Sequence, residues 1–280
     1  MSFVRAPIGL YSTNLCVFQE IMAGSGIKEK LGVEEITRGI WKALLAEFLG
    51  NLLLNFYGCA SCVGTGQGKS AVLIALTFGL VIMAIVQSVG HVSGAHVNPA
   101  VTCGMLATGN ICILKALLYI AVQCLGAVAG TGVLKALTPL HAQKQLGITL
   151  LSEGVTPVQG FGIEFFLGFV LVLVVFGVCD VNRSEVKGLA PVAIGLTIAM
   201  GHLAVLDYTG SSMNPARTLG SAIITGIWED HWVYWLGPIL GGISAALIYK
   251  HAFSAVPVEM TTDYTPVQVQ VQNKEMMCQA

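Results

Sequence analysis

The sequence predicts an all-α membrane protein, with six transmembrane helices and two re-entrant half-helices in an inverted repeat. Three observations carry that prediction. The 280-residue chain is 55% hydrophobic and 10% charged, with a mean hydropathy of +0.76, whereas a soluble domain carries about 25% charged residues. Its Lys and Arg residues avoid several long apolar stretches. The triplet Asn-Pro-Ala occurs twice, as Asn98-Pro99-Ala100 and Asn214-Pro215-Ala216.

The apolar stretches fall at 40–60, 71–90, 112–136, 160–180, 188–206 and 231–252. Each approaches the ~20 residues that cross a bilayer. Residues 1–38 hold Arg5, Lys28, Lys30 and Arg38 among several acids. They lack an apolar core followed by a small-residue cleavage site, so they read as an N-terminal segment and not a signal peptide. A channel-sized domain follows over 39–252, divided into repeat one at 40–137 and repeat two at 160–252. The 253–280 tail is polar, with Pro257 and a run of Val-Gln pairs, and both ends are expected to be flexible.

Basic residues set the orientation. Arg5, Lys28, Lys30, Arg38, Lys42, Lys115, Arg183, Lys187, Lys250 and Lys274 fall on one side, and only Lys69, Lys135 and Lys144 on the other. The positive-inside rule therefore places both termini in the cytoplasm, and the plasma membrane is the expected location. A net charge of −1 offers nothing to nucleic acid. Of the eight cysteines, Cys59, Cys103, Cys112, Cys124 and Cys179 lie in or beside apolar stretches and read as small hydrophobes. Cys59 and Cys62 form a lone CxxC at a span end, which is a poor metal or redox site.

The two halves repeat beyond the triplets. Glu47-Phe48-Leu49-Gly50 opens one and Glu164-Phe165-Phe166-Leu167-Gly168 the other. Three spans per half make the halves insert with opposite topology, and in such folds broken half-helices meet near the midplane. Asn is a favoured N-cap and Pro a favoured first helical residue, so each triplet starts a half-helix too short to cross. If each Asn oxygen caps its own helix, the NH₂ groups of Asn98 and Asn214 are free to face a lumen. A water accepting from both is held with its hydrogens along the axis and cannot relay a proton. The positive ends of two half-helix dipoles oppose cations.

Gln87-Ser88-Val89-Gly90-His91-Val92-Ser93-Gly94-Ala95-His96-Val97-Asn98-Pro99-Ala100-Val101-Thr102 resembles the first signature loop of the aquaporins. Gly201-His202-Leu203-Ala204, Asp207-Tyr208-Thr209-Gly210 and Met213-Asn214-Pro215-Ala216-Arg217 resemble the second. The resemblance covers about residues 38–252 and implies a right-handed helical bundle, a homotetramer with one pore per subunit, and water as the permeant, driven by osmotic gradients. It also implies a selectivity filter of Phe78, His202, Ser211 and Arg217. Glycerol-conducting relatives typically replace the His by a small residue and follow the Arg with an acid. This chain keeps His202 and has Thr218. Tyr234-Trp235 also resembles the water-selective branch. Several relatives carry a mercury-sensitive Cys where this chain has Ser211, so that site is expected to be absent, with Cys103 the remaining candidate.

Glu47 and Glu164 lie within apolar spans, where a charge costs ~2.5–3.5 kcal/mol on insertion scales. They are expected to accept hydrogen bonds from the loops and hold the half-helices. His96 lines the pore or packs its loop, and His91 is structural. The Asn182-Arg183-Ser184 sequon falls in a cytoplasmic loop, so no glycan is expected, and Ser184 is a candidate phosphorylation site. Two further readings stay open: a glycerol, urea or peroxide channel of the same fold, and a membrane-junction protein of low conductance. The sequence holds no catalytic nucleophile arrangement, metal cluster or phosphate loop, and no cofactor or enzymatic activity is expected.

Overall fold

The structure is a computed structural model that describes residues 39–63 and 70–256. Six long helices cross the body: α1 (Ile40–Cys62), α2 (Ala71–Ser93), α4 (Ile113–Leu137), α5 (Pro157–Cys179), α6 (Ala190–Thr209) and α8 (Val233–Phe253). Two short ones, α3 (Pro99–Ala107) and α7 (Pro215–Thr225), are the half-helices. All six spans end within three residues of the apolar stretches read from the sequence. The terminal segments expected to be flexible lie outside the described residues, apart from residues 253–256.

Length decides which helices cross. At 1.5 Å per residue, the 20- to 25-residue spans reach ~30–38 Å, enough for a hydrocarbon core. The 9- and 11-residue half-helices reach ~14 and ~17 Å, about half of it. Local chemistry sets their starts. Thr156 and Gln159 form a capping box on either side of Pro157 at the head of α5. The half-helices start on Asn98 and Asn214, each followed by Pro.

Small residues let the spans close. On α4, a Cβ at Gly126 or Gly130 would strike the Phe48 and Leu52 carbonyls of α1; on α8, one at Gly241 would strike the Phe165 carbonyl of α5. Gly79 of α2 and Gly195 of α6 face each other's carbonyls. Membrane helices associate through such close contacts, because lipid offers no hydrophobic drive between them. The half-helices pack across the repeats: α3 lies on α8, and α7 on α4. Large apolar residues such as Leu45, Leu49, Leu76, Leu80 and Phe166 cover the outside, and polar groups such as Glu47, Asn55, Gln123 and Glu164 are fully buried within. That inversion suits a chain surrounded by lipid.

Candidate functional site

The two half-helix starts meet inside the bundle. Asn98 has an extended backbone, and its Oδ1 accepts from Ala100 N at 2.8 Å. Asn214 Oδ1 accepts from Ala216 N at 3.0 Å and Arg217 N at 3.2 Å. With each oxygen committed to N–H donors, the amide nitrogens must face the other way. Asn98 Nδ2 donates to Met213 O, and Asn214 Nδ2 to Val97 O, both at 2.8 Å. The NH₂ groups are therefore not wholly free, as the sequence reading supposed. Each ties down the opposite loop with one hydrogen and keeps one for the lumen.

The loops that deliver these residues are strained alike. Gly94 and Gly210 end their helices in the left-handed region, at φ +89 and +75. One and three residues before each Asn, Val97 and Ala95 sit at φ +48 and +44, and Met213 and Ser211 at +56 and +48. A β-branched residue such as Val97 rarely adopts that conformation, and such strain persists only where the surroundings enforce it. Two buried carboxylates enforce it. Glu47 accepts from Ser93 Oγ (2.6 Å), His96 N (2.9 Å) and Val97 N (2.6 Å). Glu164 accepts from Thr209 Oγ1 (2.7 Å), Ser212 N (2.9 Å) and Met213 N (3.0 Å). Both are fully buried, and Glu47 takes a further bond from Gln123 Nε2 at 2.8 Å.

One cavity runs between the loops. Its polar lining includes His96, Asn98, Ser212 and Asn214; its apolar lining includes Leu54, Ile82, Leu171, Val175 and Ile198. Phe78, His202 and Arg217 border it as a group. The Phe78 and His202 rings stack at 4.4 Å, and the Arg217 guanidinium carbon lies 5.0 Å from the centre of the Phe78 ring. His202 Nδ1 lies 2.9 Å from Ile198 O, which assigns the ring proton to Nδ1 and leaves Nε2 as an acceptor. His202 Nε2, Arg217 Nε and Ser211 Oγ are buried without a partner among the described residues. Ser211 does not border the cavity with the other three. His96 both lines the cavity and packs its loop, with Nδ1 3.1 Å from Thr102 Oγ1. Cys103 is not a cavity residue, whereas Cys179 is.

The sequence and the fold have known relatives. The profile of the family described as "Major intrinsic protein" matches residues 34–249. This chain belongs to the major intrinsic protein family. It is 45% identical to "Aquaporin FA-CHIP" of Pelophylax lessonae, over 80% of this chain and 87% of that protein. It is 44% identical to "Aquaporin-4" of Homo sapiens, over 78% and 69% respectively. Among solved structures it resembles the aquaglyceroporin from Plasmodium falciparum, with a TM-score of 0.69 and 25% identity over 76% of this chain and 96% of that one.

In this major intrinsic protein, sequence reasoning missed the residues that hold Arg217. Its guanidinium donates to Gly147 O, and its own carbonyl accepts from Asn55 Nδ2 at 3.1 Å. Leu146 and Gly147 are both left-handed, at φ +41 and +70. Gly147 presses on Cys59 so closely that an added Cβ would lie 2.6 Å from the Cys59 Cβ. Asn55 sits on a π-helical turn, Leu54–Gly58, which also sets Gly58 against the Phe78 ring. A signal for Asn55 was present. Glu47, Asn51 and Asn55 repeat every four residues along an otherwise apolar span, a stripe that faces inward.

Proposed function

We propose that this protein is a passive, water-selective membrane channel, and that Asn98, Asn214, Phe78, His202 and Arg217 form its selective parts, with Ser211 set behind them off the cavity wall. The observation that carries this reading is the pair of Asn side chains, each held through its oxygen by its own half-helix and through one N–H by the opposite loop, and left with one N–H for the cavity. A water between them accepts both hydrogen bonds. Its own hydrogens then point away along the axis, and it can donate to neighbours but cannot accept a proton from them. The half-helix N-termini add positive potential at the same place. At the filter, Arg217 contributes a permanent positive charge and His202 Nε2 an acceptor, and the Phe78 ring narrows the opening. Identities of 44–45% to proteins named as aquaporins, against 25% to an aquaglyceroporin, favour water over glycerol.

On the same reading the protein lies in the plasma membrane with cytoplasmic termini, and assembles as a homotetramer. The Lys/Arg bias supports the orientation. The exposed Trp41, Leu45, Leu49 and Leu53 stripe on α1 is apolar enough to meet a neighbouring subunit as well as lipid. The test is an osmotic step on proteoliposomes, once with an impermeant solute and once with glycerol. Fast shrinkage in both without reswelling is expected. Rapid reswelling in glycerol would favour the solute-channel reading, and no response above empty liposomes the junctional one.

A further inference from the structure

Two lysines stand at the far ends of the half-helices. Lys250, at the end of α8, donates to Thr108 O at 2.8 Å, the carbonyl that follows α3. Lys135, near the end of α4, donates to Ile224 O at 3.3 Å in the last turn of α7. The two contacts are the same contact in the two repeats. Lys135 and Lys250 are 115 residues apart, as are Tyr119 and Tyr234, and Thr108 and Ile224 are 116 apart, as are Asn98 and Asn214. Each lysine comes from one repeat and caps the half-helix nearer the other. Among the described residues the one ion pair is Arg183–Glu185, so no carboxylate there neutralises either lysine.

Resting on the water-channel reading, we infer that Lys135 and Lys250 are positioning residues for cation exclusion. A helix carries about −0.5 charge at its C-terminus and +0.5 at its N-terminus. An ammonium on the C-terminal carbonyls offsets the negative end, so the positive end facing Asn98 and Asn214 acts with less opposition. The half-helices are only ~14 and ~17 Å long, and their far ends are near enough to weigh on the potential at the pore centre. The same bonds fix each half-helix to a span of the bundle.

The test uses the full-length protein in proteoliposomes, with Arg217→Val as the common background. There the filter charge is gone, and the half-helix field is the main barrier left to a proton. In that background, Lys135→Gln with Lys250→Gln keeps a hydrogen-bond donor and removes the charge. Proton flux is expected to rise about fivefold, as two partly screened charges ~15 Å away allow, while water flux stays within twofold of the background. Arg at both positions restores the low proton flux. Unchanged proton flux in the Gln pair overturns the inference, and so does a rise that Arg fails to reverse. If the Gln pair does not assemble, Lys135→Gln and Lys250→Gln are measured singly by the same criteria, with about a twofold rise expected from each. Water flux through the unsubstituted protein, measured in parallel, reports separately on the channel reading.

Discussion

Shifted by the 116 residues that separate Asn98 from Asn214, Arg217 falls on Val101, His202 on Val86, Ser211 on Ala95 and Phe78 on Ile194. All four counterparts border the cavity. The two halves share their backbone: a left-handed Gly, two further left-handed residues, a buried Glu and a Pro-started half-helix. They share almost none of their side-chain chemistry. The four filter positions carry a phenyl ring, an imidazole, a hydroxyl and a guanidinium; their four counterparts are all aliphatic. The repeat builds a pore, and departures from the repeat make it choose. The departures extend to the supports. Asn55, which holds Arg217 O, corresponds to Val172 at the 117-residue spacing of Glu47 and Glu164 on the same spans, and each lies against the equivalent glycine of a half-helix, Gly220 or Gly104.

The largest effect should come from breaking what the halves share. Glu47→Leu and Glu164→Leu each strand three or more buried donors, at ~1–3 kcal/mol apiece. Both should lose folded protein, and Glu47→Leu, which also strands Gln123, should be the worse. Recovery from detergent by size-exclusion chromatography and thermal unfolding would measure this. A Glu164→Leu protein as heat-stable as the parent would show that the loops do not depend on the carboxylate. Next comes erasing the difference. His202→Val with Arg217→Val makes two of the four filter positions copies of their counterparts, Val86 and Val101. Glycerol and cation flux should rise about tenfold or more, because a unit charge at close range is worth ~4 kcal/mol at an effective dielectric near 20. Liposomes that stay tight to both would move the selectivity elsewhere.

A smaller effect tests the support. Gly147→Ala forces a Cβ into the left-handed region and toward Cys59. We expect a loss of ~1–2 kcal/mol and a cation leak below that of the double valine, as Gly147 O draws away from Arg217. Cys59→Gly in the same protein should recover part of both losses; no recovery would mean that the strain at Gly147 lies in φ alone.

These expectations differ in how far they were visible before the structure. The six spans and the half-helix starts are local facts, fixed by apolar length and by Asn-Pro chemistry, and a sequence displays them directly. Phe78, His202 and Arg217, which lie together in the structure, were also named through resemblance. What the sequence hid is non-local. The second hydrogen of each Asn amide goes to a carbonyl more than a hundred residues away. The carbonyl that steadies Arg217 comes from Gly147 in a loop with no repeat partner to flag it. The π-helical turn at Leu54–Gly58 has no mark in the residue pattern beyond the polar stripe that runs through it. A side chain that donates to a distant backbone carbonyl leaves little trace at the accepting residue, because every residue carries that carbonyl.

The smallest effect falls at Ser211, whose counterpart is Ala95. The two residues share a left-handed backbone, at φ +48 and +44, so alanine is already known to fit the geometry. Ser211 Oγ is buried without a partner among the described residues and sits off the cavity wall. An unsatisfied buried hydroxyl costs free energy, and Ser211→Ala should leave thermal stability unchanged or raise it by up to about 1 kcal/mol. Water permeability should change by less than about twofold, with glycerol still excluded, because the guanidinium, imidazole and ring remain. Stopped-flow light scattering on matched vesicles can resolve that difference. A severalfold fall in water flux would mean that the hydroxyl meets the permeating water, and the filter would then have four working members. No change would leave three, and would show that the repeat was altered at this position without consequence for what passes.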